Sequence, residues 1–261
     1  GYEVGAGGNG VATTGNVSFQ AGGAIVQSKA IRANGLAVNS VGGTDLSPMR
    51  NVVNSFQATN SGSGDVRFNG GSGTLTVNGI SNPVGNVALD VLGGLSVAGA
   101  INAGTHAVDL FANNAITQTA PITAGRLSAA TFNDAGAAIN LANPGNAIGG
   151  ADLQTLNAIG DTPVDADITL TTSTALNVGA GGSGIASLGD VSLTSGGAIS
   201  QAMPIGAGML NLNANGGINL SQAGNATLAL TVNNSGGNVV INNTAAVLDL
   251  GNVSQSVAGN V

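Results

Sequence analysis

Two glycine-rich stretches of this chain have the spacing of a phosphate-binding loop. Residues 5–10 (GAGGNG) and residues 179–184 (GAGGSG) both satisfy G-x-G-x-x-G. Such a loop cradles a pyrophosphate when a strand precedes it and a helix follows it. Here a strand pattern follows each stretch, so we interpret both as corners of a repeated structure and expect no nucleotide cofactor.

Calcium is the second chemistry that the residue types suggest. Residues 7–10 (GGNG) and 181–184 (GGSG) match the start of the calcium-binding nonapeptide G-G-x-G-x-D, but Ala12 and Ala186 occupy the position of the Asp whose carboxylate would bind the ion. The only acidic cluster is Asp161, Asp165 and Asp167, which is a weak calcium candidate and also has the composition of a solvated loop. The sequence therefore predicts no metal site beyond this candidate.

Catalysis has few residues available to it. The chain contains no Cys, and a Ser-His-Asp triad would have to use His106, the single histidine. Parallel β-helix enzymes that cleave carbohydrates need paired carboxylates or a basic residue beside a metal, but the Lys and Arg residues end at Arg126. We expect no enzyme activity, and we interpret His106 as a surface or strand-end residue.

Composition narrows the remaining classes. Five Lys and Arg residues stand against twelve acidic ones, for a net charge of -7, so no basic surface is expected for nucleic acid. With 43% hydrophobic and 7% charged residues, the chain should fold rather than stay disordered. No run approaches the roughly 18 apolar residues of a membrane helix. The start, Gly1-Tyr2-Glu3, carries no export signal, which indicates a mature or excised piece.

Internal repetition is the strongest pattern. Residues 4–27 align without gaps to residues 178–201, with 15 of 24 positions identical at an offset of 174. A middle copy at residues 115–118 shares the motif A-I-x-Q-x-x-x-I, followed by Leu five residues later. The chain is therefore predicted to be a single solenoid domain, 1–261, of three internal repeats of about 87 residues, roughly 1–90, 91–177 and 178–261.

The local pattern predicts strands. Segments such as Thr227-Leu228-Ala229-Leu230-Thr231-Val232 alternate with period two, while Gly-Gly, Asn-Gly and Asn-Asn pairs supply corners with positive φ. Short strands and a period near twenty residues predict an all-β, right-handed parallel β-helix of about a dozen coils. Stacked Asn residues should form side-chain ladders at the corners. Residues 47–51 and 159–167 interrupt the pattern and are predicted to be loops outside the shaft.

The run G-[ND]-V-S-[FL]-x-x-G-G-A-I-x-Q, at residues 15–27 and 189–201, resembles the repeats of filamentous-haemagglutinin-like bacterial adhesins and related autotransporter passengers. This resemblance implies an exported chain that folds outside the cell into a β-helical shaft for adhesion or biofilm. The absence of Cys agrees with export through a barrel. The Asn-Pro-Asn-Gly secretion pattern of that family is missing, since residues 143–146 read Asn-Pro-Gly-Asn, so the chain resembles shaft rather than secretion head.

The sequence thus favours an extracellular, structural or adhesive β-solenoid at a bacterial cell surface. Its expected partners are itself, through end-to-end stacking of coils, or further repeats of the same parent chain, and a host-surface or glycan receptor. The alternative is a parallel β-helix that binds or cleaves carbohydrate along a lateral groove. An ice-binding solenoid is disfavoured because outward positions mix Ser, Thr, Asn and Asp.

Overall fold

The computed structural model describes residues 1–5, 8–256 and 260–261. These residues form 26 strands in about 12 turns and contain no helix. The strand ladders are parallel, apart from an isolated antiparallel bridge between Leu156 and Pro163. The predicted class, an all-β parallel solenoid, is confirmed.

By compactness the chain divides into a first unit, residues 1–125, and a second unit, residues 126–261. The first unit contains β1 (Tyr2–Val4), β2 (Val11–Ala12), β3 (Asn16–Gln20), β4 (Ile25–Gln27), β5 (Ile31–Ser40), β6 (Thr44–Asn60), β7 (Val66–Gly70), β8 (Leu75–Ser81), β9 (Val87–Val91), β10 (Leu95–Val97), β11 (Ile101–Asn102), β12 (Ala107–Ala112) and β13 (Ile116–Gln118). Strand β14 (Ile122–Phe132) contains the boundary. The second unit contains β15 (Ile139–Leu141), β16 (Ala147–Leu156), β17 (Ile168–Thr172), β18 (Leu176–Val178), β19 (Ile185–Ala186), β20 (Val191–Ser195), β21 (Ile199–Gln201), β22 (Ile205–Ala214), β23 (Ile218–Leu220), β24 (Ala226–Asn234), β25 (Val239–Ile241) and β26 (Asp249–Gln255).

Alternation along strands such as β9 and β20 separates a buried, mainly apolar row from a more exposed row. In the first unit the inward row is continued from coil to coil by registered pairs, so that one apolar column runs Val17, Leu36, Phe56, Val77, Val97. The last four of these side chains are 2% exposed or less. Stacking like residues at one position removes aliphatic surface from water on both sides, which stabilises the coil.

Aromatic rings are rare, and two of them meet in the core of the first unit. Phe56 and Phe68 stack with ring centroids 4.5 Å apart and an interplanar angle of 24°, and both are fully buried. Phe68 itself belongs to a column with Leu46 and Leu89. The narrow interior therefore accommodates a ring where a second inward column supplies another ring to pack on it.

The second unit is built in the same way with less regular coils. Its inward column runs Ile168, Val191, Leu210, Leu230. The register pairs Ile139 with Ile168, 29 positions later, but Val191 with Leu210, 19 positions later. The longer coil contains the loop that follows β16, so insertions are absorbed between strands without disturbing the ladder.

The sequence repeat has a direct counterpart in the structure. The bounds of β1, β2, β4 and β5 recur in β18, β19, β21 and β22 with the same offset of 174 positions. Identical strand bounds at a constant offset mean that the repeated residues occupy the same places in their coils.

The corners differ from the sequence expectation. Gly and Asn were both expected at positive φ, but among the described residues every positive φ belongs to a glycine. Asn acts through its side chain instead: Asn60 is 1% exposed, and its Nδ2 donates to the carbonyl oxygens of Gly62 (2.9 Å) and Gly64 (3.1 Å) and to Asn82 Oδ1 (2.9 Å). A side chain at positive φ is strained, whereas a buried amide can bond the carbonyls of a corner at no such cost.

An outward Asn ladder also forms in the first unit. Asn34 Nδ2 donates to Asn16 Oδ1, and Asn54 Nδ2 donates to Asn34 Oδ1, each at 3.1 Å. The predicted stacking of Asn side chains is therefore present both inside and outside the coils.

The two predicted loops have different outcomes. Residues 47–51 are part of β6 and not a separate loop, but β6 advances five positions between Leu46 and Asn51 while β7 advances two. Residues 48–50 therefore form an exposed bulge within the strand, and the buried Asn51, whose side chain is hydrogen-bonded to Gln27, ends it. Residues 159–167 do form a loop between β16 and β17, with Ile159 79% exposed.

Candidate functional site

A row of exposed, uncharged polar side chains follows one face of the first unit. Strand register places Gln20 beside Asn39, Asn39 beside Thr59, Thr59 beside Ser81 and Ser81 beside Asn102. All five residues are exposed. Neighbouring parallel strands lie about 4.8 Å apart, so this row, which we call the outer rank, presents one amide or hydroxyl group per coil.

The second unit carries a similar row. Register pairs Thr171 with Thr194, Thr194 with Asn213, Asn213 with Asn233 and Asn233 with Ser254. Asn213 and Asn233 are exposed and the other three are partly exposed. Each group donates and accepts hydrogen bonds and carries no charge, so both rows suit a neutral, hydroxyl-rich surface.

The A-I-x-Q-x-x-x-I motif closes around an Asn of the next coil. In the first unit Gln27 Nε2 donates to Asn51 Oδ1 (2.8 Å), and Asn51 Nδ2 donates back to Gln27 Oε1 (3.0 Å). The second Ile of the motif, Ile31, donates its backbone N–H to the same Asn51 Oδ1 at 2.9 Å. One buried amide oxygen therefore accepts hydrogen bonds from both the Gln side chain and the Ile backbone. This shared acceptor explains why the Gln and the Ile keep a constant spacing of four residues in the motif.

The second unit reproduces this arrangement with Gln201, Ile205 and Asn225. The distances to Asn225 Oδ1 are 2.8 Å from Gln201 Nε2 and 2.9 Å from the Ile205 N–H. The Gln and the Ile belong to the motif that the sequence shows, whereas the role of Asn51 and Asn225 is visible only in the structure. Their common spacing, 24 positions after the Gln, is the signal that would have found them.

The glycine loop at residues 179–184 holds a carboxylate of the protein itself. Asp152 is 2% exposed, and its oxygens accept backbone N–H bonds from Gly181 (2.7 Å), Ser183 (2.8 Å) and Gly184 (2.8 Å). Arg126 Nη1 lies 4.0 Å from Asp152 Oδ2. The corner interpretation of this motif therefore fits the geometry, while the copy at residues 5–10 includes residues 6 and 7, which lie outside the described residues.

Two of the three Asp residues of the calcium candidate make separate hydrogen bonds. Asp161 Oδ1 accepts from Asn157 Nδ2 (2.8 Å) and Thr162 Oγ1 (2.9 Å), and these hydrogen bonds lower the pKa of Asp161. Asp167 Oδ1 accepts the backbone N–H of Asp190 at 3.1 Å, and the Asp165 side chain is exposed. Over residues 1–5, 8–256 and 260–261, no three His, Cys, Asp or Glu residues are grouped so as to hold a metal ion.

His106, Asp65 and Arg67 are titratable residues on the surface of the first unit. His106 is partly exposed just before β12, and its Nδ1 is 3.3 Å from the Ala103 carbonyl oxygen. Arg67 Nη2 lies 2.8 Å from Asp65 Oδ2, and Asp65 Oδ1 also accepts the Asn86 N–H at 2.9 Å. Burial alone raises the pKa of Asp65, but the bonds from Arg67 and Asn86 outweigh it, so that the pKa is lowered.

A family model described as "Repeats of unknown function (DUF5649)" matches residues 84–155 and, a second time, residues 165–234. The two matches together cover more than half of the chain. The chain belongs to this repeat family. No curated protein and no solved structure shows a significant match.

Each DUF5649 repeat contains one copy of the Gln motif, at residues 115–118 in the first and 198–201 in the second. Each also contains a buried Asn whose Nδ2 donates to the carbonyl oxygen five residues earlier: Asn146 to Leu141 (3.1 Å) and Asn225 to Leu220 (3.0 Å). The corresponding bond of Asn51, to the Leu46 carbonyl oxygen at 3.0 Å, lies in a copy that precedes both DUF5649 matches. The repeated geometry therefore extends further than the matched segments.

Within the part of the chain that the structure describes, no helix is both long and apolar enough to cross a membrane.

Proposed function

We propose that this protein is an extracellular β-solenoid of a bacterial cell surface, a rigid, non-catalytic shaft that adheres through its outer polar rows, as in filamentous-haemagglutinin-like adhesins. The outer rank carries the proposal: Gln20, Asn39, Thr59, Ser81 and Asn102 are exposed, uncharged and in register on successive strands. The ladder fixes their spacing, so binding orders few groups that were free before.

Weak contacts made at each coil would add along such a row, because a second contact on a rigid scaffold forms as an intramolecular step. The resemblance of the G-[ND]-V-S-[FL]-x-x-G-G-A-I-x-Q run to adhesin repeats supports the extracellular assignment, and the lack of Cys in residues 1–261 is compatible with it.

Labelling of intact cells tests this proposal. An antibody raised against the chain should bind unpermeabilised cells of the bacterium that encodes it, and deletion of the gene should reduce attachment of the cells to a surface. Label that appears only after permeabilisation, with unchanged attachment of the deletion strain, would contradict both the location and the role.

A glycan is the second candidate ligand, and the uncharged character of the outer rank favours a neutral one. Binding to immobilised neutral polysaccharides should depend little on salt, because screening acts on charges. Thr59→Glu should weaken this binding, while Ser72→Glu, an exposed change in a turn between β7 and β8, should leave it unchanged. Equal binding by both variants would exclude the outer rank, and release of new reducing ends that depends on a carboxylate would indicate an enzyme instead.

We also propose that copies of this chain associate with one another by end-to-end stacking of their coils. Val247 (73% exposed) and Leu250 (61% exposed) are large apolar side chains beside or within β26, and such exposure favours burial against another surface. Sedimentation should show association that rises with concentration and is reduced in Leu250→Glu. A monomer at all concentrations would refute it.

A further inference from the structure

The glycine loop at residues 179–184 is a repeated segment of the chain that has no role in the proposed adhesive function. The loop interrupts the strand pairing above β16 at a single residue, Asp152. β16 pairs with β18 at Ala151–Val178 and with β19 at Leu153–Ile185, and Asp152 lies between these two pairs. The chain above therefore leaves the ladder directly over the Asp152 side chain.

Its backbone is shaped to hold an anion. Positive φ values at Gly182 (98°) and Gly184 (75°) separate residues of ordinary φ, and this alternation turns successive N–H groups toward one point. Three of these N–H groups converge on the Asp152 carboxylate, two on Oδ1 and one on Oδ2. A charge removed from water this fully is stable only when several donors surround it.

Glycine is required at Gly181 for the same reason. A Cβ built on Gly181 would lie too close to Asp152 Oδ2, and it would lie 2.6 Å from Arg126 Nη1. The glycine therefore leaves room for a carboxylate and a guanidinium on one side of the loop. The G-x-G-x-x-G loop at this position binds a carboxylate of the protein itself and not a nucleotide phosphate.

We infer that residues 179–184 and Arg126 form a carboxylate-binding nest, that Asp152 is its resident ligand, and that the nest binds a small external carboxylate when this side chain is removed. The hydrogen bonds of the nest stabilise the contact between one coil and the next, and this effect does not depend on any adhesive role. Its ligand chemistry is a single planar carboxylate, matched by N–H donors on both oxygens.

Rescue by formate tests the inference. In sodium chloride, Asp152→Ala should lower the melting temperature by roughly 5 °C, because three backbone N–H groups, including the buried one of Gly184, lose their acceptor. Sodium formate at the same ionic strength should restore part of that loss. The wild type and Asp190→Ala, which removes an exposed carboxylate from the same unit, should melt alike in the two salts. Equal melting of Asp152→Ala in formate and chloride would overturn the inference.

Two further measurements decide the matter if Asp152→Ala does not fold. Asp152→Asn fills the same space without the charge, so it should melt below the wild type and should not respond to formate. In the wild type, the amide protons of Gly181, Ser183 and Gly184 should exchange slowly with solvent, although Ser183 itself is exposed. Exchange of these protons at the rate of an unstructured peptide would overturn the inference.

Discussion

The side-chain amides of Gln201 and Asn225 lie on neighbouring coils and exchange two hydrogen bonds, with Gln201 Nε2 to Asn225 Oδ1 and Asn225 Nδ2 to Gln201 Oε1 both at 2.8 Å. Asn225 also donates to the carbonyl oxygens of Leu220 (3.0 Å) and Asn242 (2.9 Å). The buried side-chain amide of Asn225 thus connects β21, β23 and the residue that follows β25.

Asn225→Ala should reduce the free energy of unfolding by roughly 1–3 kcal/mol, because Gln201 would lose two hydrogen bonds and the buried Ile205 N–H would lose its acceptor. Urea denaturation measures this loss. Asn219→Ala is the matched control, since Asn219 is exposed on the adjacent strand β23 and should change the free energy by no more than about 0.5 kcal/mol. Equal losses in both variants would show that the amide pair contributes nothing specific.

Replacement of an inward residue should lower the free energy of unfolding far more than replacement of an outward residue. Ile116 is fully buried in β13, and Ile116→Asp should cost at least about 3 kcal/mol because a charge would enter an aliphatic interior. Asp109→Ser, at a partly exposed position of β12, should cost less than about 1 kcal/mol. Comparative thermal melts measure both, and a tolerated Ile116→Asp would argue against the inward assignment.

Gly43 should not accept a side chain. Its φ is 91°, and a Cβ would lie 2.8 Å from the Asp65 carbonyl oxygen, so Gly43→Ala should lower stability by more than about 1 kcal/mol. Gly22→Ala is its control, because a Cβ at Gly22 would meet no atom within 4 Å. If Gly43→Ala melts with Gly22→Ala and the wild type, the corner geometry is not as described.

Acid should weaken the first unit partly through Asp65. Its folded-state pKa lies below the usual Asp value of 3.8, so the carboxylate contributes stability above that value and loses it as the pH falls through the lower, folded-state pKa. The stability of Asp65→Asn should therefore fall less than that of the wild type below about pH 4.

A carboxyl titration followed by NMR provides the second measurement. Arg67→Ala should raise the titration midpoint of Asp65, because the 2.8 Å contact with the guanidinium is removed. An unchanged midpoint would show that Asn86 alone accounts for the lowered pKa.

The sequence predicted the parallel solenoid class because its evidence is local. Period-two alternation identifies strands such as β24, and repetition at an offset of 174 identifies stacking without reference to coordinates. Ile116, the Ile of the middle copy of the A-I-x-Q motif, is fully buried, as an apolar residue of such a strand pattern should be. These features depend only on residues close together in the chain or on exact repetition.

Partners on neighbouring coils are decided by the tertiary structure. Asp152 reaches Gly181 across 29 positions, Gln27 reaches Asn51 across 24 and Asn60 reaches Asn82 across 22, and the separation changes wherever a coil is longer or shorter. A pattern of residue types does not fix such variable distances, so the ligand of the glycine loop and the burial of Asn51 follow only from how each coil rests on the one before it.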